Sequence, residues 1–168
     1  MKSIPVFFLL FICQHACSAD YSGTYDCTLY DQTEGYFTGE MVLELNKSAS
    51  IAQQGFNSYD FHLSYKGVPY QYEGYAAANG NQLALYFESV GSQRDPDDKA
   101  VGIANVVVEK DVNNKDIVRI HKFYYMQDYH DNSNTGFESC VRRDATTVGN
   151  LDKKANNYLQ YLLHSWQF

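Results

Sequence analysis

Apolar and polar residues alternate with a period of two along most of the chain between residues 21 and 143. The pattern is clearest in residues 59–66, where single polar residues separate Tyr59, Phe61, Leu63 and Tyr65. Such alternation is typical of β-strands that bury one face. Further strands are predicted at residues 25–29, 37–45, 70–77, 82–90, 100–110, 116–126 and 136–143.

Turn-forming residues separate the predicted strands. Short hairpin turns are predicted at residues 66–69, at 112–116, and at 79–81, where the sequence reads Asn-Gly-Asn. Residues 91–99 and 127–136 are predicted to be longer polar loops, and residues 46–57 can hold a short helix. About eight antiparallel strands joined mostly by hairpins predict an all-β, up-and-down barrel, because closure removes exposed strand edges. A Greek-key β-sandwich is the alternative.

The apolar spacing changes from strand-like to helical near the C-terminus. Apolar residues at helical spacing are Ala155, Tyr158, Leu159, Leu162 and Trp166. An amphipathic helix is therefore predicted at about residues 152–165, packed on the sheet. Binding of a membrane or of a partner through the same helix face is the alternative.

The first 19 residues have the pattern of a secretory signal peptide. Lys2 precedes an apolar run at residues 4–12, and Ala19 stands at the predicted cleavage position. The apolar run is too short to span a membrane, and no transmembrane segment is predicted. Residues 20–168 suit one domain. We expect an exported protein, secreted or periplasmic, with a lipid anchor at Cys17 as the alternative.

Removal of this signal leaves two of the four cysteines, Cys27 and Cys140. An even number of cysteines in an exported chain predicts a disulfide, and these two allow one pairing. The two cysteines lie on the first and last predicted strands, which become neighbours when the barrel closes. Their Cα atoms are therefore expected within about 7 Å of each other.

These features together resemble a known group of secreted proteins. A signal peptide, an eight-strand meander, a disulfide and a C-terminal helix resemble the calycins, and lipocalins especially. Gly23 and Tyr25 stand where the lipocalin signature has Gly-x-Trp. The Tyr-x-Cys opening at residues 25–27 is also similar to small periplasmic lysozyme inhibitors of bacteria, which are secreted β-barrels. Both resemblances concern architecture and imply no particular binding residue.

Composition and motifs narrow the range of functions. The formal net charge of −7 argues against general binding of nucleic acid or anionic lipid. The chain lacks the common hydrolase, metalloprotease and nucleotide-binding motifs. Residues 127–136 offer oxygen and nitrogen ligands, but Arg142 stands where an EF-hand needs its bidentate glutamate. No catalytic residue, cofactor or metal site is predicted.

Tyrosine is the most unusual feature of the composition, with 15 residues. An apolar ring with a polar tip suits a binding surface, although tyrosine also favours strands. Residues predicted to line a cavity or a contact face are Tyr65, Tyr70, Tyr72, Tyr124 and Tyr125. Ordinary core packing is the alternative explanation for these tyrosines.

Arg119 and His121 share one face of their predicted strand. They are candidate ligand-binding residues if that face points into the barrel, and ordinary surface residues if it points outward. Periodicity does not decide between these orientations, and we favour the surface. Separately, residues 46–48 form a glycosylation sequon at Asn46.

The sequence therefore predicts an exported, non-enzymatic binding protein that holds a small apolar or amphipathic ligand in a β-barrel. One alternative is a protein-binding module, such as an inhibitor of a secreted enzyme. The other is an enzyme of unknown class that uses His121 or His130. The first function requires an open cavity, the second an exposed aromatic patch, and the third a histidine beside a carboxylate in a cleft.

Overall fold

Eight antiparallel strands follow the alternating segments of the sequence. The computed structural model describes residues 19–69, 71–91, 98–129 and 132–143. The strands are β1 (Gly23–Asp31), β2 (Gly35–Leu45), β3 (Phe56–Tyr65), β4 (Gln71–Asn79), β5 (Gln82–Val90), β6 (Lys99–Lys110), β7 (Asp116–Tyr129) and β8 (Asn132–Arg142). A short 3-10 helix, Ala52–Gln54, lies between β2 and β3, within the segment where a short helix was expected.

Each strand pairs with its neighbours in sequence, and β8 pairs with β1 to close the barrel. The up-and-down barrel is therefore confirmed, and the Greek-key sandwich is not formed. Cys27 lies directly opposite Cys140 across this closing seam. The two residues form the predicted disulfide, with their Cα atoms 4.0 Å apart. This bond joins positions separated by 113 residues and covalently fastens the first strand to the last.

The interior of the barrel is filled by one face of every strand. The Phe87 ring lies at the centre of this core, with ring centroids 5.3 Å from Phe61, 5.7 Å from Tyr72 and 5.9 Å from Tyr124. The largest fully buried side chains also include Tyr25, Tyr59, Met41, Leu43, Leu63 and Ile120. The alternation in sequence thus becomes a packed apolar core with polar residues on much of the outer wall.

Gly74 marks a close approach of β4 to β5. A Cβ atom at this position would overlap the carbonyl oxygen of Tyr86 and lie 2.6 Å from Phe87 Cα. These are backbone atoms, which cannot move aside as a flexible side chain can. Glycine is therefore required here by the packing of the two strands.

Residues before β1 close one end of the barrel. The Tyr21 backbone N–H donates to the Tyr59 hydroxyl at 3.0 Å, and the Tyr21 hydroxyl donates to the Gly80 carbonyl at 2.9 Å. The Tyr21 side chain is buried. The segment that directly follows the predicted cleavage position thus contributes to the folded domain.

The connection between β7 and β8 differs from its prediction. Residues 127–136 were expected to form a loop, but β7 continues to Tyr129 and β8 begins at Asn132. A register shift between Met126 and Tyr129 accommodates the extension. The prediction was wrong because polar residues here are held by partners in the fold: the Tyr129 hydroxyl donates to Glu34, and Asn134 is buried.

Several predictions concern residues outside the described ranges. These are the helix at about residues 152–165, the signal peptide up to residue 18, and the side chain of Tyr70. They stay predictions. Within the described ranges, no helix is long and apolar enough to cross a membrane.

Candidate functional site

The barrel interior contains a buried ion pair. Lys122 on β7 lies directly opposite Glu138 on β8, and its Nζ is 2.8 Å from the Glu138 Oε2. Neither side chain has any solvent exposure. At this distance the opposite charges of the two groups attract each other strongly. The ammonium group also lies 4.8 Å from the Phe61 ring centroid and 4.7 Å from that of Phe87, close enough for cation–π attraction.

Glu138 joins this pair to a tyrosine. The Tyr65 hydroxyl donates to the Glu138 Oε1 at 2.9 Å. Burial lowers the pKa of Lys122, and the charge of Glu138 opposes that change. Burial, followed by the charge of Glu138, raises the pKa of Tyr65 well above its ordinary value. Because Lys122 and Glu138 are closed off from solvent, they serve the structure of the core rather than chemistry on a substrate.

A second polar cluster surrounds Asp31 at the end of β1. Its carboxylate accepts hydrogen bonds from the Tyr124 hydroxyl at 2.8 Å and from the Asn134 side-chain amide at 2.8 and 2.9 Å. It also accepts the backbone N–H groups of Thr33 at 2.8 Å and Glu34 at 3.0 Å. Burial, followed by the charge of Asp31, raises the pKa of Tyr124. The cluster ties the β1–β2 hairpin to β7 and β8.

The core leaves little room for a ligand. Its buried apolar side chains are at most 7% exposed, and the partly buried Leu45 and Tyr65 pack against them. A cavity wide enough for a small molecule would leave accessible area on the side chains around it. The described core therefore fills the interior with the protein's own side chains, as in other small barrels.

The outer wall carries an extended apolar surface, which we call the aromatic face. It consists of Tyr30, Tyr36, Tyr75, Tyr86, Val101, Ile103, Phe123, Tyr125 and Phe137, each between 37 and 68% exposed. Strand register arranges these residues in two rows. In the first row, Ile103, Phe123, Phe137, Tyr30 and Tyr36 lie opposite one another in turn, across five consecutive strands.

The second row runs beside the first. It consists of Tyr75, Tyr86, Val101 and Tyr125, which lie opposite one another across β4 to β7. Neither row contains a charged residue. Within the first row, ring centroids are 5.1 Å apart for Phe123 and Phe137 and 5.0 Å apart for Tyr30 and Tyr36. The aromatic side chains thus pack sideways against each other while keeping an outer side free.

A shallow groove adjoins the aromatic face at Tyr36. It has a volume of about 260 Å³ and is lined by Thr28, Tyr36, Phe37, Thr38 and Lys66. The hydroxyl groups of Thr28 and Thr38 and the ammonium group of Lys66 therefore lie at the edge of the apolar surface. The groove gives the face polar groups that can fix the orientation of a bound chain.

The structure separates the tyrosines that were predicted to form one site. Tyr65, Tyr72 and Tyr124 point into the barrel and pack in its core, with Tyr65 and Tyr72 ring centroids 5.8 Å apart. Tyr125 points outward and belongs to the aromatic face. Tyr70 lies outside the described residues. The four described tyrosines thus divide between core packing and an outer surface.

Arg119 and His121 also point outward, in the orientation that we favoured. Arg119 forms a surface ion pair with Glu109, with 3.3 Å between Nε and Oε2. His121 is exposed and lies between Asn105 and Ser139 on the neighbouring strands. Neither residue points into the barrel, so the structure does not bring the described predicted residues together in one place.

Catalytic and metal-binding arrangements receive no support from the described part of the chain. The one histidine there that pairs with a carboxylate is His62, whose Nδ1 is 3.7 Å from the Glu73 Oε1 on the open surface. Cys27, Glu138 and Cys140 place three ligand atoms close together, but both sulfur atoms belong to the disulfide. Neither arrangement resembles a nucleophile with its base or an available metal centre.

Sequence reasoning missed two features that the register creates. The Lys122–Glu138 pair was signalled by a lysine in phase with Ile120 and Tyr124 and a glutamate in phase with Cys140. The aromatic face was signalled by aromatic residues at strand positions that alternate with core residues, such as Phe137 beside Glu138. Comparison with protein-family models, curated proteins and solved structures finds no match to this chain.

Proposed function

We propose that this chain is an exported, non-enzymatic binding protein that engages a partner protein through the aromatic face. The observation that carries the proposal is the pair of uncharged rows of exposed aromatic and aliphatic side chains. Contiguous apolar patches on protein surfaces mark interaction sites when they are larger than a few hundred Å². A filled core supports this function over a small ligand held inside the barrel.

The exposed area of the aromatic face is comparable to one side of a protein interface, although it is spread around the barrel wall over seven of the eight strands. Seven aromatic side chains, about half exposed and each offering about 200 Å² in full, present about 700 Å². A standard interface buries about 800 Å² on each partner. Aromatic residues are also the side chains most enriched at interface hot spots. The adjoining groove adds Lys66 and two threonine hydroxyls for polar contacts at the rim.

Export is part of the same proposal. The Cys27–Cys140 disulfide is typical of proteins outside the reducing cytosol. The signal pattern of residues 1–19 agrees with this location, secreted or periplasmic. A secreted enzyme that this protein inhibits is one class of partner consistent with both observations.

Native mass spectrometry of the protein, purified from its source without denaturation, tests the proposal. We expect a non-covalent protein complex. Binding of the purified partner should weaken about tenfold or more in Phe137→Glu and Ile103→Glu variants, as expected for a loss of at least 1.4 kcal/mol. The matched control is Val112→Glu, at a fully exposed turn position away from the face.

Two results would contradict the proposal. One is a partner whose affinity is the same for the wild-type protein and for both face variants. The other is a small molecule that remains bound to both face variants, which would instead support a ligand held inside the barrel.

A further inference from the structure

The aromatic face has a candidate occupant within the same chain. We propose that the C-terminal segment, residues 144–168, docks on this face through its own apolar stripe. The segment lies outside the described residues, and its sequence predicts an amphipathic helix. The stripe consists of Ala155, Tyr158, Leu159, Leu162 and Trp166. A surface helix of this kind needs an apolar surface to cover it.

The barrel offers that surface on its outside. The core is filled by its own side chains, so an additional helix has no place inside. Across the described outer wall, the exposed apolar side chains are concentrated in the aromatic face. The stripe and the face therefore match in chemistry: both are apolar, both carry tyrosine, and neither carries a charge.

The departure point of the segment suits this docking. Arg143 directly follows β8, and its backbone N–H donates to the Thr24 carbonyl at 2.7 Å. Its guanidinium group forms ion pairs with Asp26 and with Glu40, the latter at 2.8 Å. The chain thus leaves the wall from a fixed point on the strand that carries Phe137, a central residue of the first row.

The lengths agree as well. Arg143 lies six positions beyond Phe137, which is about 20 Å along the strand. Residues 144–151 can extend over about 26 Å and so reach back to that level. A helix of residues 152–165 would be about 21 Å long. The first row crosses five strands, about 19 Å along the wall at the usual strand spacing. Because the barrel wall curves, a helix of this length can contact the central part of the row around Phe137.

An intramolecular occupant is favoured over a second copy of the chain. Two copies each carry a formal charge of −7 and repel one another. A tethered segment meets the face at an effective concentration in the millimolar range, whatever the protein concentration. The segment and a partner protein would compete for the same face, and this consequence alone rests on the proposed function.

Trp166 is the sole tryptophan of the chain and reports directly on the segment. The experiment measures tryptophan emission and acrylamide quenching of the full-length protein, with its disulfide intact, at several protein concentrations. We expect blue-shifted emission and protection from quenching that do not change on dilution. Ile103→Glu and Phe137→Glu should shift emission to the red and raise the quenching constant several-fold, whereas Val112→Glu should change neither.

A variant within the segment keeps the test independent of barrel folding. Leu159 follows the last strand in sequence, so we expect Leu159→Glu to leave the barrel folded. This variant should expose Trp166 to the same extent as the face variants, and far-UV circular dichroism checks that all of these variants are folded. The inference is overturned if Trp166 of the wild-type protein is quenched as strongly as in the urea-unfolded protein. It is also overturned if Trp166 remains protected from quenching in the face variants. Protection that disappears on dilution, together with a dimer by light scattering, would overturn it in favour of a second copy.

The two proposals fail in different ways. An exposed Trp166 in a protein whose partner binding still depends on Phe137 would refute the docking and leave the proposed function intact. The opposite result would refute the proposed function alone: Trp166 is protected from quenching only when Phe137 is intact, but partner binding is unchanged in the face variants.

Discussion

Replacement of Lys122 by methionine should destabilise the barrel strongly, because it leaves the Glu138 carboxylate buried without its counter-charge. At 2.8 Å the attraction between the two groups is on the order of 6 kcal/mol for an effective dielectric constant of about 20. Removing each ion from water costs several kcal/mol, so the intact pair is near balance. Without Lys122 the attraction is lost, whereas the cost of removing the Glu138 carboxylate from water remains. The free energy of unfolding should therefore fall by about 3–5 kcal/mol.

The measurement is the free energy of unfolding in urea at pH 7, followed by far-UV circular dichroism with the disulfide intact. Such a loss is a large part of the about 5–15 kcal/mol that is usual for a single domain. A Lys122→Met/Glu138→Gln double variant removes both charges and keeps an acceptor for the Tyr65 hydroxyl. It should recover at least half of the loss, giving a favourable coupling energy in the double-mutant cycle.

Arg119→Met is the matched control on the same strand. It breaks the surface ion pair with Glu109, whose side chain is 54% exposed, and should cost less than about 1 kcal/mol. The expected destabilisation by an unpaired buried carboxylate would be contradicted if Lys122→Met cost no more than this control. It would also be refuted if the double variant were as unstable as the sum of the two single variants.

Three further predictions concern the fold. Gly74→Ala should lower the urea midpoint strongly or prevent folding, because its Cβ meets the β5 backbone; a variant with the wild-type midpoint would contradict the packing. Cys27→Ser/Cys140→Ser should lose about 4–5 kcal/mol in the same assay, since the bond closes a loop with a separation of 113 residues; a loss below about 1 kcal/mol would show that the seam holds without it. Burial raises the pKa of Tyr25 to about 12, and burial and a carboxylate raise that of Tyr124. Above about pH 10 the unfolded chain therefore releases these protons while the folded state keeps them. The free energy of unfolding should then fall by about 1.4 kcal/mol per pH unit for each tyrosine up to pH 12. Urea unfolding at each pH, with tyrosinate absorbance, measures this fall, and a constant free energy of unfolding would contradict the burial.

The strands and the seam could be predicted because they depend on local patterns. Alternation around Phe61 and Leu63 and the Asn-Gly-Asn turn at residues 79–81 act over a few residues, where side-chain direction and turn geometry follow from sequence. The Cys27–Cys140 bond followed from cysteine number and strand order. The β7–β8 connection could not be predicted in this way. Asn134 is polar in sequence, and its side-chain amide is satisfied in the buried position by hydrogen bonds to Asp31 on another strand.

The candidate site depends on which face of each strand points outward. Periodicity puts His121, Phe123 and Tyr125 on one face of β7 and Lys122 and Tyr124 on the other, and an aromatic residue suits either environment. A lysine on one face and a histidine on the other leave the choice open. The sequence therefore shows which residues share each face of β7, but not which of the two faces points into the barrel.

Sequence patterns were enough to predict an all-β chain with eight alternating segments, the turns between most of them and one disulfide. These features follow from residues close in sequence or from the pairing of two cysteines. The folded structure was needed to show that Lys122 contacts Glu138 inside the barrel. It also decided that Ile103, Phe123, Phe137, Tyr30 and Tyr36 form one row outside. The physical reason is that both arrangements depend on strand register and barrel closure, which bring together residues from distant parts of the chain.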